Sequence, residues 1–173
     1  KTYTITVTPI NDAPVLSTVS DVSFDEDGSG STTLVASDID SNTITYSVTS
    51  GTDITATMDG FGNVSFSAPA DYNGSESFTA SITDGVLSDA YTFTVTVDPV
   101  NDAPVLTVSD TSVEFDEDSG GLFVSFDATD VDGDVLTYTL TQCENNADGM
   151  IFATLTESLQ RVTFNSATDY NGT

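Results

Sequence analysis

The hexapeptide Asn-Asp-Ala-Pro-Val-Leu stands at Asn11–Leu16 and again at Asn101–Leu106, and the same acidic motifs follow each copy in the same order. Phe-Asp-Glu-Asp occurs at Phe24–Asp27 and Phe115–Asp118. Ala36-Ser-Asp-Ile-Asp40 is answered by Ala128-Thr-Asp-Val-Asp132, and Asp71-Tyr-Asn-Gly74 by Asp169-Tyr-Asn-Gly172. The offsets are 90, 91, 92 and 98 residues, which puts an insertion of six residues in the second copy, near Gln142 to Met150. A period near 90 is long for a solenoid turn and suits a self-contained domain, so the chain reads as tandem domains. The opening Tyr3 to Asp12 matches Phe93 to Asp102 position by position. Residues 1–10 are therefore expected to be the last strand of a preceding repeat and 11–100 a complete repeat. Residues 101–173 read as a second repeat lacking its last two strands, the counterparts of Phe78 to Val97.

Hydrophobicity alternates with period two and shows no helical period. Tyr91, Phe93, Val95 and Val97 share one face while Thr92, Thr94 and Thr96 take the other, the mark of a half-buried antiparallel strand. Turn residues separate such runs, among them Asp27-Gly28, Asp59-Gly60, Asn73-Gly74, Asp84-Gly85 and Asp132-Gly133. Strands are expected at 22–24, 33–36, 43–49, 54–58, 63–67, 76–83 and 90–97, with a short one at 15–17. Seven or eight short strands in 90 residues predict an all-β chain of tandem immunoglobulin-like antiparallel β-sandwiches, the second truncated. The prolines at 9, 14, 99 and 104 bracket Asn-Asp and hold each linker extended, as a short stiff joint.

Composition narrows the partners. Asp and Glu total 28 against two cations, Lys1 and Arg161, for a net charge of −26. Nucleic acid and anionic membrane surfaces would be repelled. No run of 18 apolar residues offers direct membrane insertion, and Lys1 leads straight into alternating sequence rather than a signal peptide. Cys143 is the single cysteine and reads as an unpaired thiol in the inserted loop. Histidine is absent and the other usual bases and nucleophiles are scarce, so the chain is not expected to be an enzyme.

The carboxylates are clustered, and close pairs repel by about 1 kcal/mol even in water, so a cation is the simplest reason for the clusters. Asp exceeds Glu by 22 to 6, and short carboxylates suit ion-binding loops. Asp130, Asp132 and Asp134 alternate around Gly133 in a way that lets three carboxylates converge. The helical calcium loop is excluded, because its twelfth position, counted from Asp130, is Thr141 rather than a bidentate Glu.

The order of Glu in an acidic turn, Ala-x-Asp-x-Asp, Thr-Asp-Gly and Val-Asp-x-x-Asn-Asp-Ala-Pro resembles the cadherin repeat. It resembles most the cadherin-like tandem repeats of bacterial surface proteins and adhesins, over nearly the whole chain. The resemblance implies end-to-end sandwiches with calcium held at their junctions by both neighbours and the linker. The junction within the chain would then use Glu26, Asp71, Asp98, Asn101, Asp102, Asp130 and Asp132, with Asp134 beside them. An earlier junction would use Asn11, Asp12, Asp38, Asp40 and Asp84, and a following one Glu117 and Asp169. Asp25 and Asp27, which flank Glu26, read as solvated. Where cadherins place Asp-Arg-Glu this chain has Asp71-Tyr72-Asn73, one carboxylate fewer.

The implied function is a calcium-binding structural repeat in a stiff extracellular stalk or spacer of a large secreted or cell-surface adhesin, with neighbouring repeats as partners. The alternative is a segment of an extracellular filament whose second sandwich is completed by strand addition from a neighbour, which would add homophilic or filament contacts. General acidity of a halophilic kind is a third explanation of the charge, and it predicts carboxylates scattered over the strand faces.

Overall fold

A computed structural model describes residues 1–40, 43–116, 121–141 and 151–166, with the side chains of 151 and 152 left aside. The inserted stretch, Cys143, Glu117 and Asp169 lie outside these residues. The chain divides into two compact units, Lys1–Val100 and Asn101–Thr173.

Unit 1 contains nine strands, β1 (Val15–Leu16), β2 (Val22–Asp25), β3 (Gly30–Thr33), β4 (Ala36–Ser37), β5 (Thr45–Val48), β6 (Thr55–Met58), β7 (Asn63–Ser67), β8 (Gly74–Thr83) and β9 (Ser88–Asp98). One sheet runs β2-β9-β8-β5 and a second β3-β7-β6, with β1 and β4 as a separate pair. The alternation seen in the sequence produces the core directly. Phe93, Val95 and Val97 of β9 and Phe78, Ala80 and Ile82 of β8 point inward against Val64 and Phe66 of β7, all buried. The Phe66 ring meets Phe78 edge-on at 5.3 Å and Phe93 at 6.0 Å, the geometry aromatic quadrupoles prefer. Outward hydroxyls pair across the same ladder, Ser75 with Thr96 and Thr79 with Thr92.

Two details depart from the sequence reading. The strand expected at 33–36 is split, because the chain changes partner there: β3 pairs with β7 and β4 with β1. Leu34, at the crossing, is buried, and its amide donates to the carbonyl of Gly62. The sandwich is also not wholly antiparallel, since β2 runs parallel to β9 with Val22 opposite Val95 and Asp25 opposite Asp98.

The described residues of unit 2 form a single sheet, β10 (Val105–Val108), β11 (Leu122–Thr129), β13 (Arg161–Ser166) and β12 (Ile151–Thr156), in that order. A short 3-10 turn at Glu157–Leu159 links the last two in sequence. By offset, these strands answer β1, β3 with β4, β7 and β6. Residues 112–116 and 133–141, which answer β2 and β5, form no strand. The reason is visible in unit 1, where β2 pairs only with β9 and β5 only with β8; the described residues of unit 2 supply no strand in the β8 or β9 place. On the sheet of unit 2, the Arg161 guanidinium lies over the Phe123 ring at 5.3 Å.

One carboxylate fastens the loop before β6. Glu76 accepts the backbone amides of Thr52 and Asp53, each at 2.8 Å, and Ile54 at 3.5 Å. The Asp53 amide is the main reason its carboxyl titrates below the ordinary 4.5, with Thr52 and Ile54 adding to it against the opposing effect of burial. A depressed carboxyl stabilises the fold above its unfolded value and loses that contribution as pH falls through the folded one. Glu76→Ala, which strands these amides, is expected to destabilise unit 1 by about 1–2 kcal/mol at pH 7. Urea unfolding should show a smaller difference between the two proteins at pH 3.

Candidate metal centre

All five residues assigned to the earlier junction are joined in one hydrogen-bonded chain within unit 1. Asp84, in the turn between β8 and β9, accepts the Asn11 side-chain amide at 2.7 Å on Oδ2, while Oδ1 takes the amides of Val86 and Leu87. Asn11 Nδ2 also reaches the carbonyl of Asp12 at 3.0 Å. The Asp12 amide donates to Asp40 Oδ2 at 2.7 Å, and the Asp40 amide to Asp38 Oδ1 at 2.8 Å. Asp and Asn favour such side-chain bonds to nearby backbone, which is why an Asp-x-Asp turn can seize a neighbouring linker.

Unit 2 repeats this arrangement independently. Asn101 Nδ2 donates to the carbonyl of Asp102 at 2.8 Å, and the Asp102 amide to Asp132 Oδ2 at 2.7 Å. The Asp132 amide then donates to Asp130 Oδ1 at 3.0 Å. Asp130 Oδ1 takes a further amide, that of Asp134, at 3.3 Å. Of the four residues assigned here, Asn101, Asp102, Asp130 and Asp132, each has its contact reproduced by the residue at the matching place in unit 1. The exposed apolar residue between each Asp pair, Ile39 or Val131, takes no part in the core.

The remaining assigned residues of unit 1 sit at the other end of β8, whose ten residues span about 33 Å. Glu26, immediately after β2, is only 6% exposed, the one buried charged residue among those described. Its amide donates to the carbonyl of Asp98, and its Oε1 accepts the Val100 amide at 2.6 Å, so Glu26 fastens the chain as it leaves β9. Asp71 adopts a left-handed backbone (φ 57°) just before β8, and its amide donates to Asp27 Oδ1 at 3.3 Å. Asp27 is exposed, as the sequence suggested, and is hydrogen-bonded as well. It shares a turn with Asp71, and its own positive φ of 60° was the signal hidden behind Asp27-Gly28. The Asp98 side chain is exposed at the end of β9.

The donor set is chemically uniform. Carboxylates, side-chain amides and carbonyls supply hard oxygen ligands, and the chain has no histidine. Such a set fits calcium and does not favour softer transition metals. Backbone amides bond one oxygen each of Asp38, Asp40, Asp130 and Asp132, which fixes the orientation of each carboxylate.

Residues 11–98, just over half of the chain, match the family described as the bacterial Ig domain. The chain belongs to that family. Among solved structures, a crystal form of human protocadherin-24 EC1-2 is similar at a TM-score of 0.50 with 16% identity, covering 93% of this chain and 83% of that one. A second crystal structure of human protocadherin-24 EC1-2 scores 0.46 at 18% identity, covering 95% of this chain and 82% of that one. The titin domains z1z2 in complex with telethonin score 0.38 at 11% identity, with 94% of this chain and 85% of that one covered. The first of these likenesses establishes that this bacterial Ig domain chain shares the cadherin-like and immunoglobulin-like β-sandwich fold. No curated protein matches the chain.

The Asn11 contact is the largest cause holding the Asp84 carboxyl below the ordinary aspartate value of 3.8, with the amides of Leu87 and Val86 adding to it. Its stabilising contribution is therefore present above 3.8 and is lost as pH falls through the lower folded value. Asn11→Ala is expected to move the Asp84 titration up toward 3.8 in metal-free protein. A carbon-detected carboxyl titration by NMR checks this, and an unmoved value would show that Asn11 does not reach Asp84 in solution.

Proposed function

We propose that this chain is a calcium-binding structural segment of a secreted or cell-surface protein, in which each bacterial Ig domain acts as a spacer and calcium stiffens the joint to the next. The observation that carries this reading is the Asn-Asp and Asp-x-Asp cradle, built twice with the same hydrogen bonds on residues 90 to 92 apart. One Asp is enough for a turn. Holding several carboxylates in one small region costs electrostatic energy that a bound cation offsets. Cradle residues at one end of unit 1, with Glu26 and Asp71 ten strand residues away, suit a module that bears ligands at both ends.

In this reading Glu26, Asp71 and Asp98 of unit 1 contribute with Asn101, Asp102, Asp130 and Asp132 of unit 2, and Asp27 joins the first group. Asp134 supports Asp130. Asn11, Asp12, Asp38, Asp40 and Asp84 serve a joint with a preceding domain, and Glu117 and Asp169 one that follows. The protein residues orient oxygens and bring the charge; the cation would neutralise it and remove rotation about the linker. Ig-like modules of this kind are structural, and the composition provides no histidine for general acid-base chemistry, so the role is mechanical rather than catalytic. Among the described residues no helix is long and apolar enough to cross a membrane, which bears only on helical spans and not on β-barrels. An extracellular location is part of this reading, because calcium there would reach the millimolar range in which modules with affinities of about 10⁻⁴ to 10⁻³ M are occupied.

At such affinities, 10 mM calcium should stabilise each occupied site by about 1.4–2.7 kcal/mol. For domains of this size that is a rise in unfolding midpoint of roughly 6–20 °C over chelator at matched ionic strength. Asp130→Ala with Asp132→Ala should remove most of the rise while circular dichroism keeps its β signal. Equal midpoints in calcium and in chelator would reduce the cradles to turn geometry and end this reading.

A further inference from the structure

Asn-x-Ser/Thr, the acceptor sequence for N-linked glycosyl transfer, occurs three times, at Asn63-Val-Ser65, Asn73-Gly-Ser75 and Asn171-Gly-Thr173. The third lies outside the described residues and stands 98 positions after the second, at the repeat offset. The second and third also carry a carboxylate two residues before the acceptor, Asp71 and Asp169, a charge that a basic side chain of a transferase can pair with. Phe61 takes that place before Asn63.

We propose that Asn73 is an N-glycosylation site, modified by an oligosaccharyltransferase with a lipid-pyrophosphate-linked oligosaccharide as donor. The proposal rests on the export of the chain in the reading above and not on calcium. Turn geometry explains every neighbour of Asn73 and leaves Asn73 itself without a duty. Asp71 takes the left-handed backbone and bonds Asp27, and Tyr72 packs against the core. Gly74 stands where a Cβ would come within 2.7 Å of the Tyr72 hydroxyl oxygen, which only glycine avoids. Asn73 is exposed, and its side chain makes no hydrogen bond among the described residues. Asn63 is exposed too, yet it is used: its Nδ2 donates to Asp59 at 2.7 Å and its Oδ1 accepts the Thr33 hydroxyl at 3.1 Å. In the transfer, Asn73 Nδ2 attacks the anomeric carbon of the donor and the bond from that carbon to the pyrophosphate oxygen breaks. The lipid pyrophosphate leaves with the electron pair, and Nδ2 gives one proton to a base of the transferase. Ser75 already belongs to β8, with its hydroxyl paired to Thr96 at 3.0 Å, so transfer precedes closure of the β8–β9 ladder. The glycosylated chain then folds unhindered, because the Asn73 side chain ends in water.

Secretion of the full chain from a bacterium that carries an oligosaccharyltransferase and its lipid-linked donor, followed by intact mass and peptide mapping of the exported protein, tests this without reference to calcium. Asn73 should carry the glycan and Asn63 none. Asn73→Gln and Ser75→Ala should each remove it from that peptide, while Ser75→Thr keeps it. Melted in chelator, the glycosylated chain should keep the midpoint of the unmodified one, since Asn73 makes no contact to lose. Exported protein with Asn73 unmodified, glycan at Asn63 to the same extent, or a midpoint lowered by the glycan overturns the proposal. A chain glycosylated at Asn73 whose midpoints agree in calcium and in chelator upholds it and ends the calcium reading alone.

Discussion

The β8–β9 ladder is the element on which the rest of unit 1 depends. It joins ten residue pairs in one continuous antiparallel register from Gly74 opposite Val97 to Thr83 opposite Ser88. It supplies six of the core residues and presents both of its outer edges, so that β2 and β5 each have only this hairpin to pair with. Unit 2 shows the dependence by contrast. Its residues 113–116 and 137–140 keep the apolar pattern of β2 and β5, yet they remain outside any sheet, because strand propensity without a partner does not hold a backbone extended. The opposite sheet forms regardless, since β10, β11, β13 and β12 find all their partners among themselves.

Charge is distributed with the same economy. The outward face of the ladder carries Ser75, Ser77, Thr79, Thr92, Thr94 and Thr96, hydroxyls that pair across strands without adding charge. Acidic groups gather instead in turns and at the linkers, where backbone amides receive them. Acidity spread over strand faces, as a general halophilic adaptation requires, gains little support from a main sheet whose exposed face is this neutral. Several of the carboxylates have a structural duty in any case: Glu76 fastens 52–54, Asp59 ties Phe61 and Asn63 in the β6–β7 turn, and Asp89 holds the amide of Leu16. Acid count alone therefore does not measure ion binding. What separates the cradle residues is that their carboxylates accept amides of other members of the same motifs, from Asn11, Asp12 and Asp40 in unit 1 and from Asp102 and Asp132 in unit 2.

Much of the fold was legible because a half-buried strand writes its geometry into alternate residues. Strand β7 was expected with its observed ends, and β8, β9 and β6 within a few residues, since their inward Phe, Val and Ile positions are unambiguous. The two features that escaped, the parallel β2 and the break between β3 and β4, are decisions about partners. A run such as Thr33 to Ala36 looks the same whether it serves one sheet or crosses between two; only the three-dimensional position of Gly62 and Ser17 determines where its amides and carbonyls go. The cradles were legible as one recurring unit through repetition, and Asn11, Asp12, Asp38, Asp40 and Asp84 are joined by hydrogen bonds. The turn that Asp27 shares with Asp71 was not, because an acidic residue before glycine looks like any turn and the contact spans 44 residues. The capture of the Val100 amide by Glu26 was equally invisible, being a contact across 74 residues.

That capture gives the linker its physical character. The Val100 amide is fixed to Glu26 on one side, and the Asp102 amide to Asp132 on the other, each within its own unit. Pro99 and Pro104 limit the backbone around them to extended geometry. The freely turning chain is thereby reduced to the bonds about Asn101, whose side chain is itself turned onto the carbonyl of Asp102. A joint so short has little conformational entropy to lose, on the order of 1–2 kcal/mol per backbone residue fixed. Under the proposed reading a cation of modest affinity would therefore suffice to suppress its motion, whereas a long flexible tether would need a far stronger one.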